Sequence, residues 1–89
     1  MLEVTVAEYL GEHRVRICFN NGEAGTVDLS DALWGPMFEP LREPATLQRF
    51  KLSPVLHTIC WENDADFAPE FLYEKMVEQG HAPTRRVGG

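Results

Sequence analysis

A chain of 89 residues, 44% of them hydrophobic, holds one compact core and leaves no room for a second domain. Its formal net charge of −6, from 14 acidic and 8 basic side chains, argues against non-specific contact with nucleic acid and suits a cytoplasmic protein or one that meets a basic partner. No stretch approaches the roughly 20 apolar residues that span a bilayer, so we expect no membrane contact, and formation of a homodimer would supplement the core of so short a chain.

The first third of the chain predicts a meander of three antiparallel strands. Apolar and polar side chains alternate over residues 2–7 and 14–19, which is the period of a half-buried strand. Gly11-Glu12 and Asn20-Asn21-Gly22 favour turns between the strands, and a third strand follows over 24–29. The core-facing residues that this alternation predicts are Leu2, Val4, Val6, Val15, Ile17, Phe19, Val27 and Leu29.

Four prolines between residues 36 and 54 exclude long helices from the middle of the chain, because proline lacks a backbone N–H and clashes with the preceding helical turn. Ser30-Asp31 predicts a helix N-cap that opens a short turn, and Gly35-Pro36 ends that turn. Short helical turns are predicted at Met37–Arg42 and Ala45–Phe50. Their apolar side chains would cover one face of the sheet.

The last third of the chain predicts two more short strands and a C-terminal helix. Lys51-Leu52 and His57–Trp61 have strand character and would pair in the same sheet. A helix is predicted over Pro69–Gln79, because proline is tolerated in a first helical turn, and Gly80 fits the C′ cap. The apolar stripe of this helix is predicted to comprise Phe71, Leu72, Met76 and Val77.

These elements predict an α+β domain. It would contain a small antiparallel sheet, made of the three-stranded N-terminal meander plus one or two short strands, together with short helical turns and a C-terminal helix. This domain would span residues 1–80. Residues 81–89 are polar and have little to bury, so we expect them to form a disordered tail.

A series of landmarks between Val4 and Glu78 comes in an order that a known family shares. These landmarks are Asn21-Gly22, Val27-Asp28-Leu29-Ser30, the segment from Gly35 to Arg42, Phe50, the segment from Ile59 to Asp66, and Leu72-Tyr73-Glu74. Together they resemble the small bacterial domain of unknown function (DUF) 2442. The resemblance implies a small α+β domain, alone in some members and fused to a helix-turn-helix domain in others. Some members are encoded beside a small partner protein and have been proposed as antitoxins, and no catalytic residues are established.

The chain departs from the family pattern at the acidic turn after Trp61. Family members usually read Trp-Pro-Asn-Gly, whereas Glu62 and Asp64 stand here in place of the proline and the glycine. The departure argues against the tight glycine turn of the family and adds negative charge. The chain also has no helix-turn-helix segment, which removes the usual means of direct DNA binding and leaves nucleic acid an unfavoured partner for this domain alone.

The acidic turn is the first candidate site. Glu62, Asp64 and Asp66 could bind a hard cation or a basic partner. The alternative is a solvated turn in which Asp66 caps the following helix and the other two carboxylates favour its positive end. The spacing does not match a calcium loop, so we expect no metal.

Two tryptophans and two arginines are the other candidates for a partner contact. Trp34 and Trp61 would be core or edge anchors, or interface residues, and Trp34 is the better interface candidate because it lies beside Gly35-Pro36 in a loop. Arg14 and Arg16 share one face of the second strand. That face is either a solvated outer face or a contact for an anion or a partner.

The sequence predicts no enzyme and no cofactor. Cys18 and Cys60 lie in apolar surroundings, so we expect buried free thiols, with a disulfide as the alternative, and no nucleophile; they form no CxxC pair. The three histidines lack the spacing of a metal site. No glycine-rich loop is present that would hold a phosphate.

The residues support three hypotheses of function. The first is a non-enzymatic interaction module, antitoxin-like, that binds a small basic protein. The second is a transcription-regulatory or nucleic-acid-associated domain that uses Arg14, Arg16, Arg85 and Arg86. The third is a small ligand-binding protein with a pocket near Trp61 and Asp66.

Overall fold

Three antiparallel strands form the main sheet of the protein, seen in a computed structural model that describes residues 1–81. The strands are β1 (Val4–Gly11), β2 (Arg14–Phe19) and β3 (Ala24–Asp28), in spatial order β1-β2-β3. The remaining elements are the 3-10 helices Ser30–Ala32 and Glu39–Arg42, helix α1 (Pro44–Leu47), strands β4 (Lys51–Leu52) and β5 (Ile59–Cys60), helix α2 (Pro69–Met76) and a wider π-type segment Val77–His81. The predicted α+β class is confirmed. The predicted tail lies outside the described residues, apart from His81 at its start.

A bulge in β1 reverses which of its side chains face the core. Val4 and Val6 pair with consecutive residues of β2, so Thr5 is an extra residue in β1. Val4 is buried, but Val6 is 52% exposed, and Ala7 and Tyr9 pack against the core instead. The prediction that Val6 faces the core is therefore wrong, because one extra residue moves every later side chain to the other face.

The inner face of the main sheet is buried as the alternation predicts. Val15 and Ile17 of β2 and Val27 of β3 are fully buried. They share one hydrophobic cluster with Leu72 and Met76 of α2, which are also fully buried. Since each such side chain contributes about 1.5–3 kcal/mol when it leaves water, this contact between sheet and helix is a main source of stability.

Strands β4 and β5 pair with each other in a separate two-stranded sheet, rather than in the main sheet as predicted. A backbone hydrogen bond links this region to the main sheet: the N–H of Val4 donates to the carbonyl of His57 at 2.9 Å. The bulge at Thr5 lies beside this contact, and a bulge disrupts the ladder of the strand that carries it. In addition, Pro54 follows β4 closely and has no N–H to extend a ladder.

The segment after β3 begins with a turn that Asp28 stabilises. The backbone N–H of Ser30 donates to Asp28 Oδ1 at 2.9 Å, and this hydrogen bond is the main cause that lowers the pKa of the Asp28 carboxyl. The N-cap position of the 3-10 helix belongs to Leu29, with no side-chain cap. The predicted Ser30-Asp31 cap is therefore wrong, because the side-chain oxygen that accepts the hydrogen bond belongs to Asp28, two residues before Ser30.

Helix α2 buries a different stripe from the one the sequence predicts. Leu72 and Met76 are buried as expected, but Phe71 is 39% exposed and Val77 is exposed as well. Lys75 takes the remaining buried position. The helical geometry ends before Gly80, whose φ of +87° fits the predicted C-terminal glycine. Among the described helices, none is long and apolar enough to cross a membrane.

Candidate functional site

The acidic turn after β5 is tight even though it has no glycine. The backbone N–H of Asp64 donates to the carbonyl of Trp61 at 3.0 Å, and the N–H of Trp61 donates to the carbonyl of Ala65 at 2.9 Å. Asp64 occupies the left-handed region with φ +70°. Aspartate tolerates this region better than most residues, which explains why the turn persists. The expectation that Glu62 and Asp64 disfavour a tight turn is therefore wrong.

Replacing Asp64 with glycine is expected to stabilise the protein by about 0.5–1 kcal/mol, because glycine adopts positive φ without steric cost. Urea denaturation of Asp64→Gly and of Asp64→Asn measures the effect. Asparagine removes the same charge but keeps a Cβ, so it separates backbone strain from electrostatics. A glycine variant less stable than the asparagine variant would contradict the strain explanation.

The three carboxylates of the acidic turn are exposed, and they do not form a joint site. Asp66 does not cap α2, because Ala68 holds the N-cap position without a side-chain cap and Asp66 is bridged through its backbone to Cys60. Glu62 and Asp64 are exposed at the turn. Within residues 1–81, no group of three acidic, histidine or cysteine side chains is placed to hold a metal ion.

Trp61 is a core anchor rather than a surface residue. It is 6% exposed, and its indole N–H donates to the carbonyl of Leu47 at 2.9 Å. Its ring meets Phe50 and Phe67 edge to face, with centroids 6.3 and 5.8 Å apart. Trp61 thus joins α1 to the segment that precedes α2.

A small hollow of about 240 Å³ lies beside Trp61. Leu41, Trp61, Arg49 and Glu62 are among its lining residues. Sites for small molecules usually have about 300–1,000 Å³, so this hollow is smaller than the usual range. Asp66 does not line it. The sequence-based hypothesis places a ligand pocket near Trp61 and Asp66, but this hollow is lined by Trp61 and not by Asp66.

Trp34 lies at a larger hollow of about 400 Å³, which we call the aromatic groove. Its indole is 69% exposed, although tryptophan is highly buried on average. The rings of Phe38 and Phe67 stack with centroids 4.7 Å apart, and those of Phe67 and Phe71 stack at 5.3 Å. The residues that define the aromatic groove are Asp31, Trp34, Phe38, Phe67, Phe71 and Lys75.

Two hydrogen bonds hold the segments on either side of the aromatic groove in place. The buried hydroxyl of Thr58 donates to the carbonyl of Phe67 at 2.6 Å. On the other side, the side-chain amide of Asn63 donates to the carbonyl of Met37 at 2.9 Å. The acidic turn therefore supports the loop that carries Phe38. This role is structural, and it was not predicted for Asn63.

An ion pair lies at one side of the aromatic groove. Lys75 Nζ is 2.6 Å from Asp31 Oδ1 and 5.7 Å from the centroid of the Phe71 ring. The side chain of Lys75 is 9% exposed, whereas that of Asp31 is 73% exposed. A buried ammonium requires a partner, and Asp31 supplies it. The pair therefore fixes a solvent-facing carboxylate beside exposed aromatic rings.

Arg14 and Arg16 lie on the outer face of the main sheet, opposite the core, and both are exposed as predicted. Glu8 is opposite Arg16 in the register of β1 and β2, and Asp28 is opposite Arg14 in that of β2 and β3. Each arginine therefore has an acidic cross-strand neighbour, which reduces the positive potential of this face. Cys18, also on β2, is a free, half-buried thiol.

The aromatic groove includes residues that sequence reasoning did not assign to a site. Phe67 precedes the N-cap residue Ala68 and Phe71 lies in the first turn of α2, so their stacking is not a helical spacing that the sequence could show. The sequence predicts Phe71 only as part of the apolar stripe of the helix and assigns no role to Phe67. Lys75 lies four residues after Phe71 in α2, and a lysine in a helix gives no sequence signal for burial. Of the predicted site residues, Trp34 alone lines the aromatic groove.

Comparison with known proteins agrees with the fold. The chain is similar to the crystal structure of a protein from Nitrosomonas europaea named "Putative DNA Binding Protein", with a TM-score of 0.77 at 24% sequence identity. The similarity covers 91% of this chain and 52% of that protein, so the chain spans about half of its length. No curated protein matches the chain. Residues 4–78 match the family described as "Protein of unknown function (DUF2442)", and the chain belongs to that family.

Proposed function

We propose that the protein is a non-enzymatic interaction domain of the cytoplasm, and that its aromatic groove binds a small basic protein. The antitoxin-like role that the family resemblance implies is one form of this function, in which the partner is encoded beside the domain. The observation that carries the proposal is that Trp34 is 69% exposed and lines the same hollow as three further aromatic rings.

Exposed aromatic rings around a groove favour a protein partner. Tryptophan is among the residues most enriched in the energetic centres of interfaces, because it buries a large area with few rotatable bonds. Leaving Trp34 and Phe71 in water costs the free domain hydrophobic free energy that a partner would recover. Scattered apolar residues need no such explanation, but these two line the same hollow.

The charge of the domain favours a basic partner. The formal net charge of the chain is −6. Asp31 lines the aromatic groove with an exposed carboxylate, whereas Lys75 is buried in its ion pair with Asp31. Asp66 and Glu70, each one residue before a phenylalanine of the groove, are exposed as well. Complementary charge would speed association and set the partner's orientation.

The proposal is tested by co-expressing the domain with the small protein encoded next to it and measuring their affinity. We expect a complex at micromolar concentration or tighter, and we expect Trp34→Ala to weaken it by about 2 kcal/mol, or roughly thirtyfold. Isothermal titration calorimetry gives the two dissociation constants. The folding stability of this variant should stay within about 0.5 kcal/mol, because Trp34 is mostly exposed.

The matched control is Val55→Ala, since Val55 is 80% exposed and lies in the loop between β4 and β5. We expect this variant to bind as tightly as the unaltered domain. Failure of the two proteins to associate at micromolar concentration would count against the proposal. Equal losses in the two variants would show that the aromatic groove has no special part in binding.

A nucleic-acid-associated role is the second candidate, and the name of the structural neighbour favours it. In this chain it would rest on Arg14 and Arg16, whose acidic neighbours weaken the case, and on Arg85 and Arg86, which lie outside the described residues. This role predicts binding whose affinity falls steeply with added salt. A DNA titration that shows no binding at low salt would remove it.

A further inference from the structure

We infer that the aromatic groove recognises an arginine of the partner, stacked on Trp34 and paired with Asp31, next to an apolar side chain that contacts the phenylalanines. This inference rests on the proposed function and names the chemical group that the same site selects. Its basis is the combination of an exposed indole, an oriented carboxylate and stacked rings in one hollow of about 400 Å³.

The carboxylate of Asp31 is held ready for a second cation. Lys75 occupies Oδ1 at 2.6 Å, yet the Asp31 side chain is 73% exposed, so its outer part faces the solvent at the groove. A carboxylate offers about four acceptor positions in total, so one ammonium does not use its capacity. Because Lys75 is buried and fixes the carboxylate, a partner's cation would meet it with little loss of conformational entropy.

The groove already contains one cation beside an aromatic ring. Lys75 Nζ lies 5.7 Å from the Phe71 centroid while it pairs with Asp31. The exposed face of Trp34 offers the same attraction to a cation from outside, and tryptophan is the best aromatic residue for it. An arginine fits this position better than a lysine, because its guanidinium is planar, stacks on aromatic rings and is weakly hydrated.

The stacked phenylalanines add an apolar requirement. Phe38, Phe67 and Phe71 form a row of parallel rings with one partly exposed end at Phe71. An aliphatic side chain of the partner would lie against this row. The expected recognition element is therefore an arginine and an aliphatic residue close together in an exposed segment of a basic protein.

The test uses three capped dipeptides, N-acetyl-Leu-Arg-amide, N-acetyl-Leu-Lys-amide and N-acetyl-Leu-citrulline-amide, titrated into the labelled domain by NMR. Citrulline has nearly the shape of arginine but no charge. We expect the NMR signals of the Trp34 indole N–H and the Phe71 backbone N–H to shift as peptide is added, and the shifts to saturate at millimolar peptide concentration. The affinity should fall at least threefold from arginine to lysine and again from lysine to citrulline.

Asp31→Asn should reduce the affinity for the arginine peptide at least threefold and leave that for the citrulline peptide unchanged. Asp64→Asn removes an equal charge in the acidic turn and should change neither. Equal affinities for arginine and citrulline, or no shift at Trp34 with any peptide, would overturn the inference. The comparison of the three peptides uses the unaltered domain, so it does not depend on whether the variants fold. The proposed function is tested separately, by the titration with the partner protein.

Discussion

Replacing Trp61 with alanine is expected to destabilise the protein by about 3–5 kcal/mol, a large part of the stability of a domain this small. Trp61 is 6% exposed, and its indole contacts both Phe50 and Phe67. The variant would also leave the buried carbonyl of Leu47 without its hydrogen-bond donor. Urea denaturation followed by circular dichroism measures the loss.

Trp34→Ala is the matched control, because it removes the same side chain from an exposed position. We expect it to change the free energy of unfolding by less than about 0.5 kcal/mol. Trp61→Phe should fall between the two, since it keeps an aromatic ring but loses the indole N–H. A cost below about 1.5 kcal/mol for Trp61→Ala would mean that Trp61 does not anchor the core.

The ion pair at the aromatic groove gives the second large effect. Asp31→Asn is expected to cost about 1–2 kcal/mol, because it leaves the ammonium of Lys75 buried without a counter-charge, although Asp31 itself is mostly exposed. Lys75→Met should stay within about 1 kcal/mol of the unaltered protein, because methionine keeps an apolar stem against Phe71. Thermal and urea unfolding at pH 7 measure both variants.

The double variant separates the pair from its surroundings. When Lys75 is already methionine, Asp31→Asn removes no counter-charge, so we expect its additional cost to fall to about zero. Raising the salt concentration should change the stability cost of each single variant little, because ions in solution screen a buried ammonium such as that of Lys75 only weakly. Additive costs in the double variant would be inconsistent with a stabilising interaction between the two side chains.

Much of the fold could be predicted because it depends on local patterns. The alternation in β2 and β3 places Val15, Ile17 and Val27 in the core, and the family landmarks point to the same arrangement. The bulge at Thr5 could not be predicted, since an extra residue leaves no mark on a sequence that alternates on both sides of it. The loop between β4 and β5 meets β1 beside this bulge, where the Val4 N–H donates to the carbonyl of His57, and no local pattern reports that contact.

The candidate site was predicted only in part. The place of Trp34 beside Gly35-Pro36 makes it the better interface candidate of the two tryptophans, and the structure exposes its side chain. The aromatic groove around it joins the segment after β3 to α2, residues more than 30 positions apart in the chain, and no local pattern reports such a meeting. Lys75 shows the limit most clearly, because a lysine in a helix is usually exposed, and its burial depends on Asp31.

The aromatic groove is proposed to be the surface at which a partner binds. Hydrogen–deuterium exchange of the domain, alone and in complex with the small protein encoded beside it, tests this claim most directly. We expect binding to slow exchange over residues 31–38 and 67–75, and to leave the loop 53–58 unchanged. Protection confined to the outer face of the main sheet, around Arg14 and Arg16, would contradict the account.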